Sequence, residues 1–476
     1  MKNITIGKIL EVTGGKLIGK VDPDYMAPLL DTEITDIATD SRDVKEGILF
    51  VAFKGEKIDA HKFIPKVACL TKAILTEEDE EMIKAGADGA LLPENVAYIK
   101  VDSTIEGLQK LGAYVRGLYP NKVIGVTGSV GKTTTREMIT CALSSSLNTY
   151  HTIGNMNSQV GVPVMTSRML DQPSDISILE MGISIPGEMD RLAKVVKPDI
   201  GVVTVIGVAH IEFLKTREGI REEKLRIASQ MDENGVLFLN ADDPLLWEMK
   251  GKLKHKVYFY GTNPEADFVA EDIRVDDDTN SYTYRHGNTK MLVTLNVLGV
   301  HNVLNSLVSL AIADYLGLDL TKAATSLENF EGLRQRVIKA DGGYTIIDDT
   351  YNASPDSMKA ALKVLQSMDN IGNRIAVLGD MFELGPDSGK YHKEVGEFIN
   401  TLKAEDGSSA IHRLITIGNE SSYINQAVEN NMEIESLHFN DKEEASDYIK
   451  KTLKPGDAIL FKASNGMKFK EIVSNL

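Results

Sequence analysis

The run Val123-Ile124-Gly125-Val126-Thr127-Gly128-Ser129-Val130-Gly131-Lys132-Thr133-Thr134 carries an apolar strand into a glycine-rich turn and then into Lys-Thr at the start of a helix. Residue types in this order suit polyphosphate. Backbone N–H groups of the turn and of the first helical turn face phosphate oxygens, and Gly128 and Gly131 let the backbone come close. Lys132 adds a positive charge, and the Thr133 hydroxyl can hold Mg2+. Nucleotide contacts are therefore expected at Thr127, Gly128, Ser129, Val130, Gly131, Lys132, Thr133 and Thr134. The usual pattern has glycine at position 126, where this chain has Val126. The alternative is a glycine-rich turn with a structural lysine.

Two more groups fall at strand ends. Ile176-Ser177-Ile178-Leu179-Glu180 is an apolar strand ending in a carboxylate, and ligands of parallel sheets bind beyond the carboxyl ends of the strands. Glu180 is thus a candidate Mg2+ ligand, with a capping or surface glutamate as the alternative. The next strand runs toward Ala209-His210-Ile211-Glu212 and brings His210 to the same edge as a second candidate ligand, with a structural histidine as the alternative.

Three blocks must position these groups, with no internal repeat and no low-complexity linker. Up to about residue 100, short apolar runs (Ile48 to Phe53, Ala73 to Leu75, Gly89 to Leu92) alternate with polar turns, suggesting a small α/β unit. The helical spacing Ile105, Leu108, Leu111, Val115 then leads into the phosphate loop. Strands at Ile176 to Leu179, Ile200 to Val205 and Val236 to Leu239 give the parallel doubly wound signature. Val257 to Tyr260 and Met291 to Leu298 read as an antiparallel appendage. A second α/β sheet is expected from near Arg334, with strands at Tyr344 to Ile347, Ile375 to Leu378, Leu414 to Ile417 and Ala458 to Lys462.

A chain of 476 residues is long enough for two to four domains. Its net charge of -17 argues against nonspecific binding to nucleic acid or anionic membranes, so an anionic substrate has to be met by local cations. Cys69 and Cys141 have no metal-ligand or redox spacing, which fits a reducing compartment. No run approaches the roughly 18 apolar residues of a membrane helix, and the N-terminus lacks a long apolar region. No membrane insertion and a cytoplasmic location are expected.

Taken in order, Thr39-Asp40-Ser41-Arg42, Thr127 to Thr134, Gly154-Asn155-Met156-Asn157, Glu180-Met181-Gly182, Ala209-His210-Ile211-Glu212, Gly299-Val300-His301-Asn302-Val303-Leu304-Asn305, Asp349-Thr350-Tyr351-Asn352-Ala353-Ser354-Pro355 and Leu378-Gly379-Asp380-Met381-Phe382-Glu383-Leu384-Gly385 resemble the motif series of the Mur ligases. These are ATP-dependent amide-forming enzymes that build the peptide stem of peptidoglycan. The resemblance covers all three blocks and rests on the joint order of the motifs. Asp-x-Tyr-Asn-Ala-x-Pro-x-Ser-Met at 349 to 358 and Gly-Asp-Met-x-Glu-Leu-Gly at 379 to 385 resemble the family member that adds a dipeptide. The Asp-Asn-Pro-Arg motif of the diamino-acid-adding member is absent.

The resemblance implies an α/β, three-domain architecture: an N-terminal UDP-sugar-binding domain at 1–100, a central P-loop parallel-sheet ATPase domain at 101–331, and a C-terminal Rossmann-like α/β domain at 332–476. It implies ATP and Mg2+ as cofactors, UDP-N-acetylmuramoyl-tripeptide and D-alanyl-D-alanine as substrates, an acyl-phosphate intermediate, and a monomer. One metal position is implied at Thr133 and Glu180, and a second at His210 beside a carbamylated Lys224, making Lys132, Lys224 and His210 the catalytic group. Many relatives carry Glu where this chain has Arg226, and an ordinary lysine on a charged helix face is the alternative for Lys224. Asn302 and Asn305 are implied at the adenine edge, and Arg334 (with Arg336 as rival) and Asp349 at the phosphates and ribose. Ser41 and Arg42 are implied at the UDP-sugar, with a plain turn as the alternative, and Asn155 and Asn157 near the growing peptide. Asn465 stands where the family pattern has arginine. Two other readings stay open: another Mur-type ligase (diaminopimelate- or lysine-adding, or folylpolyglutamate synthase-like), and a non-catalytic ATP-driven switch.

Overall fold

Strands buried on both faces must be apolar throughout, and the runs that satisfy this condition form the centre of each sheet. The computed structural model describes residues 1, 3–55, 58–86, 92–275, 279–332, 336–368 and 371–476. Nine strands form the middle sheet, in the spatial order Thr289–Leu295, Asn280–His286, Phe268–Val275, Lys256–Gly261, Val236–Asn240, Ile200–Val203, Lys122–Thr127, Ile176–Glu180, Thr149–His151. From Lys122–Thr127 the chain moves outward on one side and then returns to build the other side. The crevice at this switch point, beyond the carboxyl ends of the strands, is where such sheets bind ligands. Thr127, Glu180 and Thr204 all lie at that edge.

The expected strands at 176, 200 and 236 are present, although the one at Ile200 ends at Val203, two residues early. The appendage needs correcting. Strand Lys256–Gly261, which contains Val257 to Tyr260, pairs in parallel with Val236–Asn240 and extends the doubly wound sheet. Within this sheet, among the described residues, the antiparallel pairings are the two among Phe268–Val275, Asn280–His286 and Thr289–Leu295. An apolar run by itself carries no direction, so the sequence could not separate the two cases.

The first block holds a five-stranded sheet in the order Lys16–Ile18, Ala97–Lys100, Ala73–Thr76, Ile48–Val51, Asp36–Ala38, with only the first pair antiparallel. Strand Ala97–Lys100 was not among the expected runs, and of the run at Gly89 to Leu92, residues 89–91 lie outside the described residues. Helix Thr104–Leu118 starts on a Ser103 cap and buries Leu108, Leu111 and Val115 in the core of this first unit, together with Val164 from the second. Arg168 pairs with Asp36 at 2.7 Å across the same boundary.

The last block holds a six-stranded sheet in the order Arg336–Lys339, Thr345–Asp348, Ala458–Lys462, Arg374–Gly379, Arg413–Ile417, Glu435–Phe439, parallel except for the first pair. All four strands expected here are present. Its core includes Val208, a residue carried by the loop that leaves the central sheet.

Phe238 anchors the central sheet through rings of Tyr258, Phe268 and Tyr315, at 5.4, 5.9 and 5.9 Å. Phe238→Ala should therefore destabilise the central unit by about 3–5 kcal/mol, read as a lower denaturant midpoint. A loss under about 1 kcal/mol would contradict this packing assignment.

Candidate active site

Helix Lys132–Ser144 begins at Gly131, which sits at φ 86°, a conformation that glycine adopts without strain. Gly128 serves close approach: a Cβ there would stand 1.8 Å from the Thr204 hydroxyl. That hydroxyl donates to Val130 O at 2.5 Å, and Ser129 N–H donates to Val205 O at 2.8 Å, so the neighbouring strand end fixes the loop. Val126 is fully buried and pairs in register with Glu180 and Val202, which explains why a side chain is accepted at this position. Lys132 Nζ folds back on its own loop, donating to Gly128 O at 2.8 Å and Ser129 O at 3.4 Å.

Glu180 has no solvent exposure. Its carboxylate accepts from the Thr133 hydroxyl at 2.8 Å and from Asn157 Nδ2 at 2.7 Å, and its own N–H donates to Thr152 Oγ1 at 2.9 Å. The structure thus brings Thr133, Glu180 and Asn157 together and rules out a surface role for Glu180.

Lys224 is 1% exposed, on helix Arg217–Leu225. This overturns the reading of an ordinary lysine on a charged face. Its Nζ has no hydrogen-bond partner among the described residues. Burial first, and the Lys132 charge second, push its pKa well below the usual value, with Glu223 acting in the opposite sense. Arg226 turns outward to Asp190 at 2.6 Å and lies 3.6 Å from Glu223. Glu223 in turn accepts from Met189 N–H at 2.9 Å.

A cleft of about 1390 Å³ separates the central and last units, and both line it. Ser129 to Lys132, Thr134, Asn157, Glu180 and His210 come from one wall, and Asp349, Glu383, Lys462 and Asn465 from the other. His210, itself at φ 64°, places Nδ1 2.5 Å from Glu383 Oε2. The histidine contact lowers the Glu383 pKa against the opposing effect of burial. Asp349 Oδ2 accepts from Lys462 Nζ at 2.7 Å. Asn302 and Asn305 share one face of helix Val300–Tyr315, as expected. Their amide donors are engaged within the protein, Asn302 with Leu298 O at 2.8 Å and Asn305 with Asn302 Oδ1 at 3.3 Å, while Asn305 Oδ1 accepts from Thr135. Arg334 lies outside the described residues.

Three expected substrate residues lie away from the cleft. Arg42 is 86% exposed and turned onto Asp40, whose carboxyl its hydrogen bonds hold down at about 2. Ser41 opens the short turn Ser41–Asp43, and Asn155 is exposed outside the cleft lining. Sequence reasoning also missed groups that the cleft is built on. Arg136, Thr152, Thr204 and Lys462 are buried; Arg136 lies inside a helix, and Thr152, Thr204 and Lys462 lie at strand ends, where their placement was the available signal. Glu383 stood in a quoted motif with no role attached; its partner lies on a different unit.

The residues present fit a bound polyphosphate and cation. Thr127 Oγ1, Ser129 Oγ and Lys224 Nζ are buried polar atoms with no hydrogen-bond partner among the described residues, and such atoms are rarely left unsatisfied without a ligand or a function. The donor set near Glu180 consists of a carboxylate and a hydroxyl, the hard oxygens that Mg2+ prefers.

Comparison with known proteins agrees with this geometry. Residues 126–313 match the Mur ligase middle domain, and residues 333–465 match the family described as Mur ligase, glutamate ligase domain. The chain is 36% identical to the UDP-N-acetylmuramoyl-tripeptide--D-alanyl-D-alanine ligase of Bacillus subtilis, over 99% of this chain and 98% of that one. Among solved structures it is similar to MurF from Acinetobacter baumannii, with TM-score 0.84, 28% identity, and 99% and 98% of the two chains covered. It is also similar to MurF ligase from Thermotoga maritima in complex with ADP, with TM-score 0.78, 28% identity, and 93% and 96% covered. By sequence, by fold and by the build of its phosphate-loop cleft, this chain belongs to the Mur ligase family.

Proposed function

We infer that this chain is an ATP-dependent amide ligase that joins D-alanyl-D-alanine to UDP-N-acetylmuramoyl-tripeptide in peptidoglycan precursor synthesis. The full-length likeness to ligases named for that reaction carries the reading. In this reading residues 1–100 take the UDP-sugar, 101–331 hold ATP and 332–476 complete the cleft, with the reaction in the cytoplasm.

A carboxylate is a poor acyl donor, because its leaving group would be oxide. Attack of the tripeptide carboxylate on the γ-phosphate breaks the bond to the β-phosphate and gives an acyl phosphate and ADP; the dipeptide amine then attacks the acyl carbon, expelling phosphate and losing a proton. Both steps bring anions together, so the protein's work is positioning and cationic stabilisation. Lys132 leaves the loop carbonyls to meet the γ-phosphate, while loop N–H groups and the Ser129 and Thr127 hydroxyls take phosphate oxygens. Mg2+ would be held by Thr133 and Glu180, and at a second position by His210 and Lys224, and would neutralise phosphate charge there. Burial lowers the Lys224 pKa and so favours the neutral amine, the form that adds CO2 and releases a proton to become a carbamate. Asn302, Asn305 and Asp349 line the adenine and ribose end, with Arg334 lying between Asn305 and Asp349 in the chain. Asn157 stands where Glu180 and the reacting carboxylate meet.

Mass spectrometry after incubation with ATP, UDP-N-acetylmuramoyl-tripeptide and D-alanyl-D-alanine should show the pentapeptide product with matching ADP release, and none with single amino acids. ADP release without a condensed product would support the switch reading instead.

Lys132→Ala should melt like the wild type and lose about a hundredfold or more in kcat, the scale for removing one charge-stabilising group. Undiminished turnover in a folded variant would remove the loop lysine from the mechanism.

Lys224 also sets a pH dependence. In metal-free, CO2-free buffer the folded chain binds fewer protons at this site than the unfolded chain, so wild-type stability gains as pH rises toward the unfolded lysine pKa of about 10.4. Lys224→Met should therefore be more stable than wild type near neutral pH, with the advantage shrinking as pH rises. An advantage that is constant across this range would mean that the lysine is charged in the folded state.

A further inference from the structure

Arg136 lies one helical turn beyond Lys132 and Thr133 on helix Lys132–Ser144 and is 1% exposed. A buried guanidinium is stable only when its charge and its donors are met. Nη1 donates to Thr152 O and Nη2 to Glu137 Oε1. Nε has no hydrogen-bond partner among the described residues and stands 3.9 Å from Glu180 Oε2. Thr152 is therefore gripped at both ends: its carbonyl by Arg136 and its hydroxyl by the Glu180 N–H. It also sits at the root of the segment that presents Asn157, whose amide reaches Glu180 at 2.7 Å and whose carbonyl accepts Gly182 N–H at 2.8 Å.

We propose that Arg136 is a positioning residue that fixes the Glu180 carboxylate and the Thr152–Asn157 segment as one unit with the phosphate-loop helix. Three observations converge on this. Among the described residues, the ion pair made by the fully buried Glu180 carboxylate is with this guanidinium, at 3.9 Å. The same side chain holds the segment that supplies the second donor to that carboxylate. The phosphate-loop helix carries Arg136, so nucleotide contacts at Lys132 and Thr133 and peptide-side contacts at Asn157 share one rigid mount. The kinetic part of this role rests on the ligase reading above; the structural part does not.

The test pairs Arg136→Met, which keeps length and removes the charge, with Arg136→Lys. Amide hydrogen exchange of the free chain, without nucleotide or metal, should show faster exchange at Glu180 and Gly182 in Arg136→Met and unchanged protection in strand Val236–Asn240. The ligation kcat should fall about a hundredfold, the scale for displacing a reacting group by about an ångström, with a much smaller change in KM for ATP. Arg136→Lys should recover most of both. Should Arg136→Met fail to fold, Thr152→Val removes the hydroxyl alone and should raise exchange at Glu180 in the same way. Wild-type exchange at Glu180 and Gly182 in a folded Arg136→Met variant would overturn the proposal, whether or not ligation is observed. Altered exchange together with no ligation even by the wild type would sustain it and count against the ligase reading.

Discussion

A carboxylate with no access to water, placed beside a phosphate loop, is the constraint around which this molecule is organised. An isolated buried carboxylate would be strongly disfavoured, so Glu180 has to be met from several directions. The Thr133 hydroxyl, the Asn157 amide and the Arg136 charge come from the phosphate-loop helix and from the segment following the edge strand Thr149–His151. Those partners in turn depend on the strand order seen in the middle sheet, because the adjacent parallel strands Lys122–Thr127 and Ile176–Glu180 bring Thr127 and Glu180 side by side at one edge. The buried Lys224 amine adds the opposite demand: burial first and the Lys132 charge second work against its charged form.

The last unit completes this half-site. Val208 leaves the central sheet and packs into the core of the C-terminal unit, and His210 meets Glu383 two residues later. The turn before it is clamped on both sides, with Ile206 N–H donating to Asp243 at 2.6 Å and Ile206 O accepting from Arg217 at 2.6 Å. Ser129 N–H is bonded to Val205 O, so the phosphate loop is joined to the segment carrying Val208 and His210 through a few residues of chain. This is the physical content of a site shared between two units, and it fits enzymes that assemble their centre on closure.

Much of this was legible in the sequence, for identifiable reasons. Continuous apolar runs ending in Thr127 and Glu180 announce parallel strands, and glycines at 128 and 131 announce a backbone that must approach something closely. Direction was not legible: Val257 to Tyr260 gives the same apolar pattern in a parallel or an antiparallel pairing, and the register with Val236–Asn240 decided it. Burial of charged residues was not legible either. Arg136 and Lys224 sit among polar neighbours in sequence and become buried only when helices Lys132–Ser144 and Arg217–Leu225 pack on the sheet. For Lys224 the family resemblance, rather than the local pattern, pointed to an unusual amine. At Ser41 and Arg42 the Arg42 guanidinium turns to the neighbouring Asp40, and neither residue lines the cleft.

We propose that the site combines a fixed buried carboxylate with a buried amine whose pKa is lowered by burial and which takes up CO2. Carbon-13 NMR of the protein equilibrated with labelled bicarbonate, with Lys224→Ala as the control, tests this most directly. A protein-bound carbamate signal that vanishes in the control is the expected result. No such signal in the folded wild type, or one that persists without Lys224, would contradict it.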